Sequence, residues 1–187
     1  EFFAGEGGLT RSMKRQNKYV TMLASEDFWS DWDIITDTDF EFAFGWTSET
    51  DWIHFAPPCG TFSRARRTDH WGKVEMLRSP ERPEGFGHPL AEEANLIANR
   101  AAALCVKLYD RKRFFSLENP STSLLWDLKA YKKLRELPGV GFLVLDQCAY
   151  GSEHRKPTGI LTNAPWMLSV SLQCQDVAPH SHVSLVG

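Results

Sequence analysis

One stretch constrains this chain more than any other: Asp51-Trp52-Ile53-His54-Phe55-Ala56-Pro57-Pro58-Cys59-Gly60-Thr61-Phe62-Ser63. Trp52 to Phe55 is a short apolar run with the length and composition of a buried strand. Two prolines stop it, because neither can donate to a sheet ladder and Pro58 holds Pro57 extended. A thiol, Cys59, then stands on a stiff turn just past the carboxyl end of a strand, which is where open α/β sheets bind ligands. A thiolate there is a good nucleophile. The plain alternative is a cysteine serving as a small buried hydrophobe, and the flanking segments decide between the two.

The chain before this stretch reads as strand, glycine turn, helix. Phe2, Phe3 and Ala4 run into Gly5-Glu6-Gly7-Gly8, and Leu9 to Lys18 has a helical pattern. Glu1 to Gly5 reads as the end of a strand whose first half precedes Glu1. Glycines at such a turn let a cofactor approach the backbone N–H groups of a helix start. Their spacing is not G-x-G-x-x-G, which argues against a nicotinamide dinucleotide. Tyr19 to Ala24 reads as a second strand ending at Ser25-Glu26-Asp27. A carboxylate there, Glu26 with Asp27 in reserve, can accept both ribose hydroxyls of an adenosine cofactor; acidic residues also start turns and caps. Asp33 to Phe40 is expected to hold or adjoin a short third strand. One of its aspartates, with Asp37 as the candidate, could bond the exocyclic amine of adenine, or all three could simply be solvated.

After the cysteine, Arg64 to Gly87 is a long polar loop of the kind that is usually functional or mobile, suited to be a lid over Cys59. Arg64, Arg66, Arg67, Lys73 and Arg78 form a local basic patch in a chain of net charge −3, where nucleic acid would need one; a solvated loop is the bland reading. Pro89 opens a helix that packs on a sheet, with Leu96, Ile97, Ala101, Leu104, Cys105 and Leu108 at helical spacing.

Arg113 to Pro120 repeats the earlier design: apolar strand, polar residues at its carboxyl end, then proline. Consecutive strands joined by a right-handed helical crossover usually neighbour each other, so Glu118 should emerge beside Cys59. The alternative for Glu118-Asn119-Pro120 is a capping turn before a helix over Ser121–Leu137. Leu143–Leu145 and Gly159–Thr162 read as an antiparallel hairpin added to a parallel sheet. The tail carries Cys174, His180 and His182, ligand types for zinc, and Cys148 could be a fourth. Their spacing matches no standard zinc pattern, so a plain tail is the ordinary reading.

The chain's 187 residues suit one domain, read as a catalytic domain over 1–165 and a tail of unknown role over 166–187. No apolar run is long enough to span a bilayer, so no membrane partner is expected. Four scattered cysteines without an export signal point to a reducing compartment.

Four of these stretches together resemble the DNA (cytosine-5) methyltransferase family. Phe3-Ala4-Gly5-Glu6-Gly7-Gly8-Leu9 is similar to its cofactor-binding motif and Pro57-Pro58-Cys59-Gly60-Thr61-Phe62-Ser63 to its nucleophile motif. Glu118-Asn119-Pro120 resembles its Glu-Asn-Val motif, and Tyr150-Gly151-Ser152-Glu153-His154-Arg155-Lys156 its Phe-Gly-x-x-Gln-x-Arg-x-Arg stretch. The resemblance implies an α/β, Rossmann-like class I methyltransferase fold: a mostly parallel central sheet, a terminal antiparallel hairpin and helices on both faces. It implies S-adenosyl-L-methionine as cofactor, on Phe3, Ala4, Gly5, Gly7, Gly8, Leu9, Glu26, Asp37 and Pro57. It implies cytosine flipped out of DNA as substrate, attacked by Cys59 with Glu118, Asn119, Arg155 and Lys156 assisting, and gripped by Pro58, Ser63, Arg64 and Arg66. It also implies an intracellular site of action, the nucleus or a bacterial or viral-host cytoplasm. Pro120 stands where the family has valine, His154 where it has glutamine, and Thr158 where it has a second arginine. No target-recognition domain is evident after residue 165, so target choice is expected to lie in the Arg64–Gly87 loop, another segment or a partner. The alternatives are a non-catalytic methyltransferase-like module that binds DNA or a partner, and a related enzyme acting on RNA or a modified pyrimidine.

Overall fold

A computed structural model describes residues 1–3, 8–16, 34–63 and 77–183. The helices are α1 (Gly8–Arg15), α2 (Asp37–Trp46), α3 (Pro89–Asp110) and α4 (Lys129–Arg135), and the strands β1 (Trp52–Phe55), β2 (Phe114–Pro120), β3 (Gly141–Asp146) and β4 (Pro157–Thr162). The described strands form one mixed sheet in the order β1-β2-β4-β3. β1 and β2 are parallel, with Phe55 opposite Leu117, and β4 runs antiparallel to both β2 and β3. The expected hairpin is present. The expected "mostly parallel" character is not, among the described residues: β4 inserts between β2 and β3 and reverses two of the three pairings. Phe2 adds a parallel bridge to Phe55 on the outer side of β1.

Side-chain alternation along the strands gives the sheet two unlike faces. Ile53, Phe55, Phe115, Leu117 and Leu161 join one apolar cluster with Ala43 of α2, Ile97, Ala101, Leu104, Cys105 and Leu108 of α3, and Tyr131 and Leu134 of α4. The other face carries Trp52, His54, Ser116 and Glu118, and beyond them a small cluster of Leu143, Leu145 and Ile160 against Met167 and Val170. The three helices α2, α3 and α4 therefore feed a single core. The opposite face is met by the short turn Pro165–Ser169.

Local chemistry explains the elements. His88 caps α3 by accepting the Leu90 N–H at 3.2 Å, and Pro89 takes the first helical position. Small residues Ala91, Ala98, Ala101 and Ala102 are buried and let α3 approach its neighbours closely. Over residues 34–40 no strand is found. Thr36 accepts the Asp39 N–H at 3.1 Å and starts α2, with Asp37 and Asp39 in its first turn where the helix dipole favours acids. The Ser121–Leu137 helix is broken: a turn over Leu124–Asp127 ends at Leu128, whose extended backbone (ψ 141°) separates it from α4. Gly159 lies in β4 where a Cβ would come within 2.7 Å of Phe142 and 3.1 Å of Trp126. The absence of a side chain there lets those two rings pack edge to face, with centroids 5.0 Å apart.

No described helix is long and apolar enough to cross a membrane. The second strand expected at Tyr19–Ala24 lies outside the described residues.

Candidate active site

β1, β2 and β3 point the same way, so their carboxyl ends share one edge of the sheet. Three segments meet there: the Pro57-Pro58-Cys59 turn, Glu118-Asn119-Pro120, and the loop from β3 to β4 that carries Arg155 and Lys156. The decisive contact is a hydrogen bond from Asn119 Nδ2 to the Pro57 carbonyl at 2.8 Å. Pro57 is buried and Asn119 is only 2% exposed. Cys59 follows two residues after the acceptor, and Glu118 immediately precedes the donor.

The cysteine turn is clamped from behind. The Cys59 carbonyl accepts the Phe62 and Ser63 N–H groups at 3.0 and 2.9 Å. Phe62 is 1% exposed, and its carbonyl accepts the Leu124 N–H at 3.0 Å. Over the Phe62 ring lies the Arg78 guanidinium, 3.8 Å from the centroid. Arg78 donates to Thr61 Oγ1 (3.1 Å), Asn95 Oδ1 (2.6 Å), the Pro83 carbonyl (2.6 Å) and the Ala91 carbonyl (2.8 Å). Burial lowers its pKa to about 10, partly offset by Glu84, and it remains a cation at neutral pH. Arg78 is thus withdrawn from the expected basic patch and ties the cysteine turn to the start of α3. Its signal in the sequence was its position next to Leu77 and two residues before Pro80, away from the arginine cluster. Cys59 itself is a free, half-exposed thiol, and Pro58 is exposed.

Glu118 lies in β2 opposite Ile160, with a side chain 23% exposed. Its Oε1 is buried and accepts no hydrogen bond among the described residues; the Lys156 ammonium stands 3.7 Å away as an ion-pair partner. Asn119 Oδ1 is likewise buried without a hydrogen-bond donor among the described residues. Lys156 and Arg155 part company. Arg155 Nε reaches Asp146 Oδ2 at 3.4 Å, with its side chain 57% exposed, so only Lys156 faces Glu118. Thr158 is buried. It donates to the Lys156 carbonyl at 3.1 Å and accepts from Gln147 Nε2 at 3.3 Å, shaping the loop rather than reaching out of it.

Behind Glu118 on the same face, Ser116 Oγ accepts the Trp52 indole N–H at 3.1 Å and lies 2.7 Å from His54 Nδ1. Ser116 thus gives both the indole and the imidazole a partner on this face. Burial pushes the His54 pKa down to about 4. Sequence reading passed over this residue as one more member of a strand.

The cofactor candidates are divided. Phe2 donates to the His54 carbonyl at 2.7 Å and accepts the Ala56 N–H at 3.2 Å, which sets the entry to the glycine turn beside Pro57. Phe3 is half-buried with a left-handed backbone (φ 57°). Gly8 and Leu9 open α1, where Glu1 Oε2 accepts both the N–H (2.7 Å) and the hydroxyl (2.5 Å) of Thr10. Asp37 is exposed on α2 and paired with Arg100, which also holds the carbonyls of Ile34, Ile35 and Thr36. It sits in the first turn of a helix, in a stretch expected to hold or adjoin a strand. Ala4, Gly5, Gly7, Glu26, Arg64 and Arg66 lie outside the described residues. The metal candidates Cys174, His180 and His182 come together with Cys148, their ligand atoms all within 4.8 Å of one another.

The fold and site thus define an α/β protein with a thiol, a carboxylate and an ammonium at one sheet edge. The chain matches no protein-family model, no curated protein and no solved structure.

Proposed function

We propose that this chain is an S-adenosylmethionine-dependent methyltransferase acting at C5 of cytosine in DNA, built on a Rossmann-like class I sheet. The observation that carries the reading is the Asn119–Pro57 hydrogen bond: it fixes the segment bearing Glu118 against the segment bearing Cys59, two groups widely separated in sequence whose joint work on one ring is chemically coherent.

Cytosine C5 is a weak nucleophile. Addition of the Cys59 thiolate to C6 forms a C–S bond and pushes the ring's electrons to C5. Glu118, whose Oε1 is otherwise without a hydrogen-bond donor among the described residues, suits the N3–H and N4 amine edge of the base; a proton held at N3 draws electrons from C6 and favours the addition. Lys156, 3.7 Å from Glu118, is available to the base O2 or a phosphate. Asn119 acts as a positioning residue. Once C5 carries the methyl group, loss of its proton to a base or water and expulsion of the Cys59 thiolate restore the aromatic ring. Flipping is required because a stacked base hides C6 from any thiol.

S-adenosylmethionine, when bound, supplies the electrophilic methyl. The residues present fit it at the entry to the glycine turn, which the Phe2 bridge holds beside Pro57. Phe3, Gly8, Leu9 and Pro57 would hold it, with Ala4, Gly5 and Gly7 from the motif and Glu26 from the segment after Tyr19–Ala24. Asp37 would have to exchange Arg100 for adenine.

The test is transfer of labelled methyl from S-adenosylmethionine to DNA, with RNA as competitor. Cys59→Ser should abolish it; full activity in that variant would overturn the assignment. Preference for RNA would move the substrate and leave the chemistry.

A further inference from the structure

We propose that Cys148, Cys174, His180 and His182 bind one zinc ion in a closed tetrahedral site that fastens the C-terminal tail to the β3–β4 loop. The chain supplies these residues from three separate places: the turn Gln147–Tyr150 directly after β3, the turn Cys174–Asp176, and the tail beyond. With Zn–S about 2.3 Å and Zn–N about 2.0 Å, tetrahedral ligand atoms sit roughly 3.3–3.8 Å from one another. Here Cys174 Sγ is 3.4 Å from His182 Nε2, and that nitrogen is 3.1 Å from His180 Nε2. All four ligand atoms fall within 4.8 Å.

The orientation of the rings agrees. His180 Nδ1 lies 2.9 Å from the Ala178 carbonyl and donates its proton there, leaving the Nε2 lone pair for a metal. That lone pair meets the His182 Nε2 and the Cys174 sulfur around a common point. Two thiolates and two imidazoles form the ligand set zinc prefers, and four protein ligands leave no open position, which makes the site structural. Binding Zn²⁺ releases the two thiol protons.

The tail has a physical need for such a link. Met167 and Val170 pack on the cluster of Leu143, Leu145 and Ile160, but no residue from 171 to 183 is buried, so apolar packing does little for the stretch that carries the ligands. Its anchors are hydrogen bonds: the Cys174 N–H to Asp146 Oδ2 (2.9 Å), the Asp146 N–H to the Leu172 carbonyl (3.0 Å), and the Val183 N–H to the Glu153 carbonyl (2.9 Å). Partly exposed bonds of this kind contribute little net stability. The link would also brace the loop holding Lys156 against Glu118, yet it stands whether or not the chain transfers methyl groups.

The experiment is zinc analysis of the full chain by inductively coupled plasma mass spectrometry after desalting, together with cobalt substitution. About one zinc per chain is expected, and cobalt should give tetrahedral d–d bands with thiolate-to-metal charge transfer. Cys174→Ser should retain about tenfold less zinc and lose charge-transfer intensity. His180→Ala, at an exposed position, should lose zinc while circular dichroism stays unchanged, which separates ligation from misfolding. Chelation should make residues 170–183 susceptible to protease. A folded wild-type chain without zinc, or variants that hold it as tightly as wild type, would overturn the proposal.

Discussion

Asn119 Nδ2 and the Pro57 carbonyl oxygen, 62 residues apart in sequence, meet at 2.8 Å where β1 and β2 each stop being strand. A proline carbonyl at the end of a strand has no ladder partner, and a buried one costs free energy unless something donates to it. Asn119 does so from the face of β2 opposite Glu118. The same residue pair therefore solves a backbone problem and sets the spacing of the candidate nucleophile and carboxylate.

Asn119→Ala removes this donor and leaves the Pro57 carbonyl buried and unpaired. Destabilisation of about 1–3 kcal/mol is expected, read as a lower urea midpoint with an unchanged slope. Asn119→Asp should be worse at neutral pH, since a carboxylate would face a carbonyl oxygen.

Arg78→Lys tests the clamp behind Cys59. One ammonium cannot replace a planar fork that reaches two carbonyls, an amide and a hydroxyl while stacking on Phe62. A loss of about 2–4 kcal/mol is expected, visible as a drop in Tm. A neutral outcome would show that Arg78 does not anchor the turn.

His54 gives stability a pH dependence with a definite sign. Its folded pKa, about 4, lies below the ordinary value of 6.5. Above the ordinary value both folded and unfolded chains hold it neutral, and it contributes nothing to the slope. As pH falls from about 6.5 towards 4 the unfolded chain takes up a proton that the folded chain refuses, so stability is lost, at most on the order of 3 kcal/mol. Below about 4 both are protonated and the loss levels off. Urea midpoints of wild type and His54→Gln across this range should converge as pH falls, because the variant lacks the titrating group.

Much of this was readable beforehand, for physical reasons. Trp52–Phe55 was a strand because prolines end it, and Pro89 began α3 because a proline fits a helix start. The strands carrying the Pro-Pro-Cys turn and Glu118 were expected to neighbour each other from the rule for crossovers, and the parallel pairing of β1 with β2 bears that out. What escaped was decided by long-range partners. Asp37 sits on a helix because Thr36 caps it and Arg100 gathers the carbonyls before it. Arg78 turned inward because its hydrogen-bond partners come from segments scattered along the chain. Arg155 and Lys156, adjacent in sequence, diverge because Asp146 takes one and Glu118 the other. The four metal-ligand types had no standard spacing, because the tail folds back onto a turn that precedes it by a whole strand.

The central claim, attack by Cys59 with Glu118 on the same ring, is tested most directly by trapping. DNA containing 5-fluorocytosine cannot release its C5 substituent, so an enzyme that adds its thiol to C6 and transfers a methyl group stays bound. Incubation with S-adenosylmethionine should give a denaturation-resistant adduct whose peptide maps to Cys59, slowed by orders of magnitude in Glu118→Gln and absent in Cys59→Ser. An adduct of undiminished yield in Cys59→Ser, or none in wild type under conditions where DNA is methylated, would contradict the account.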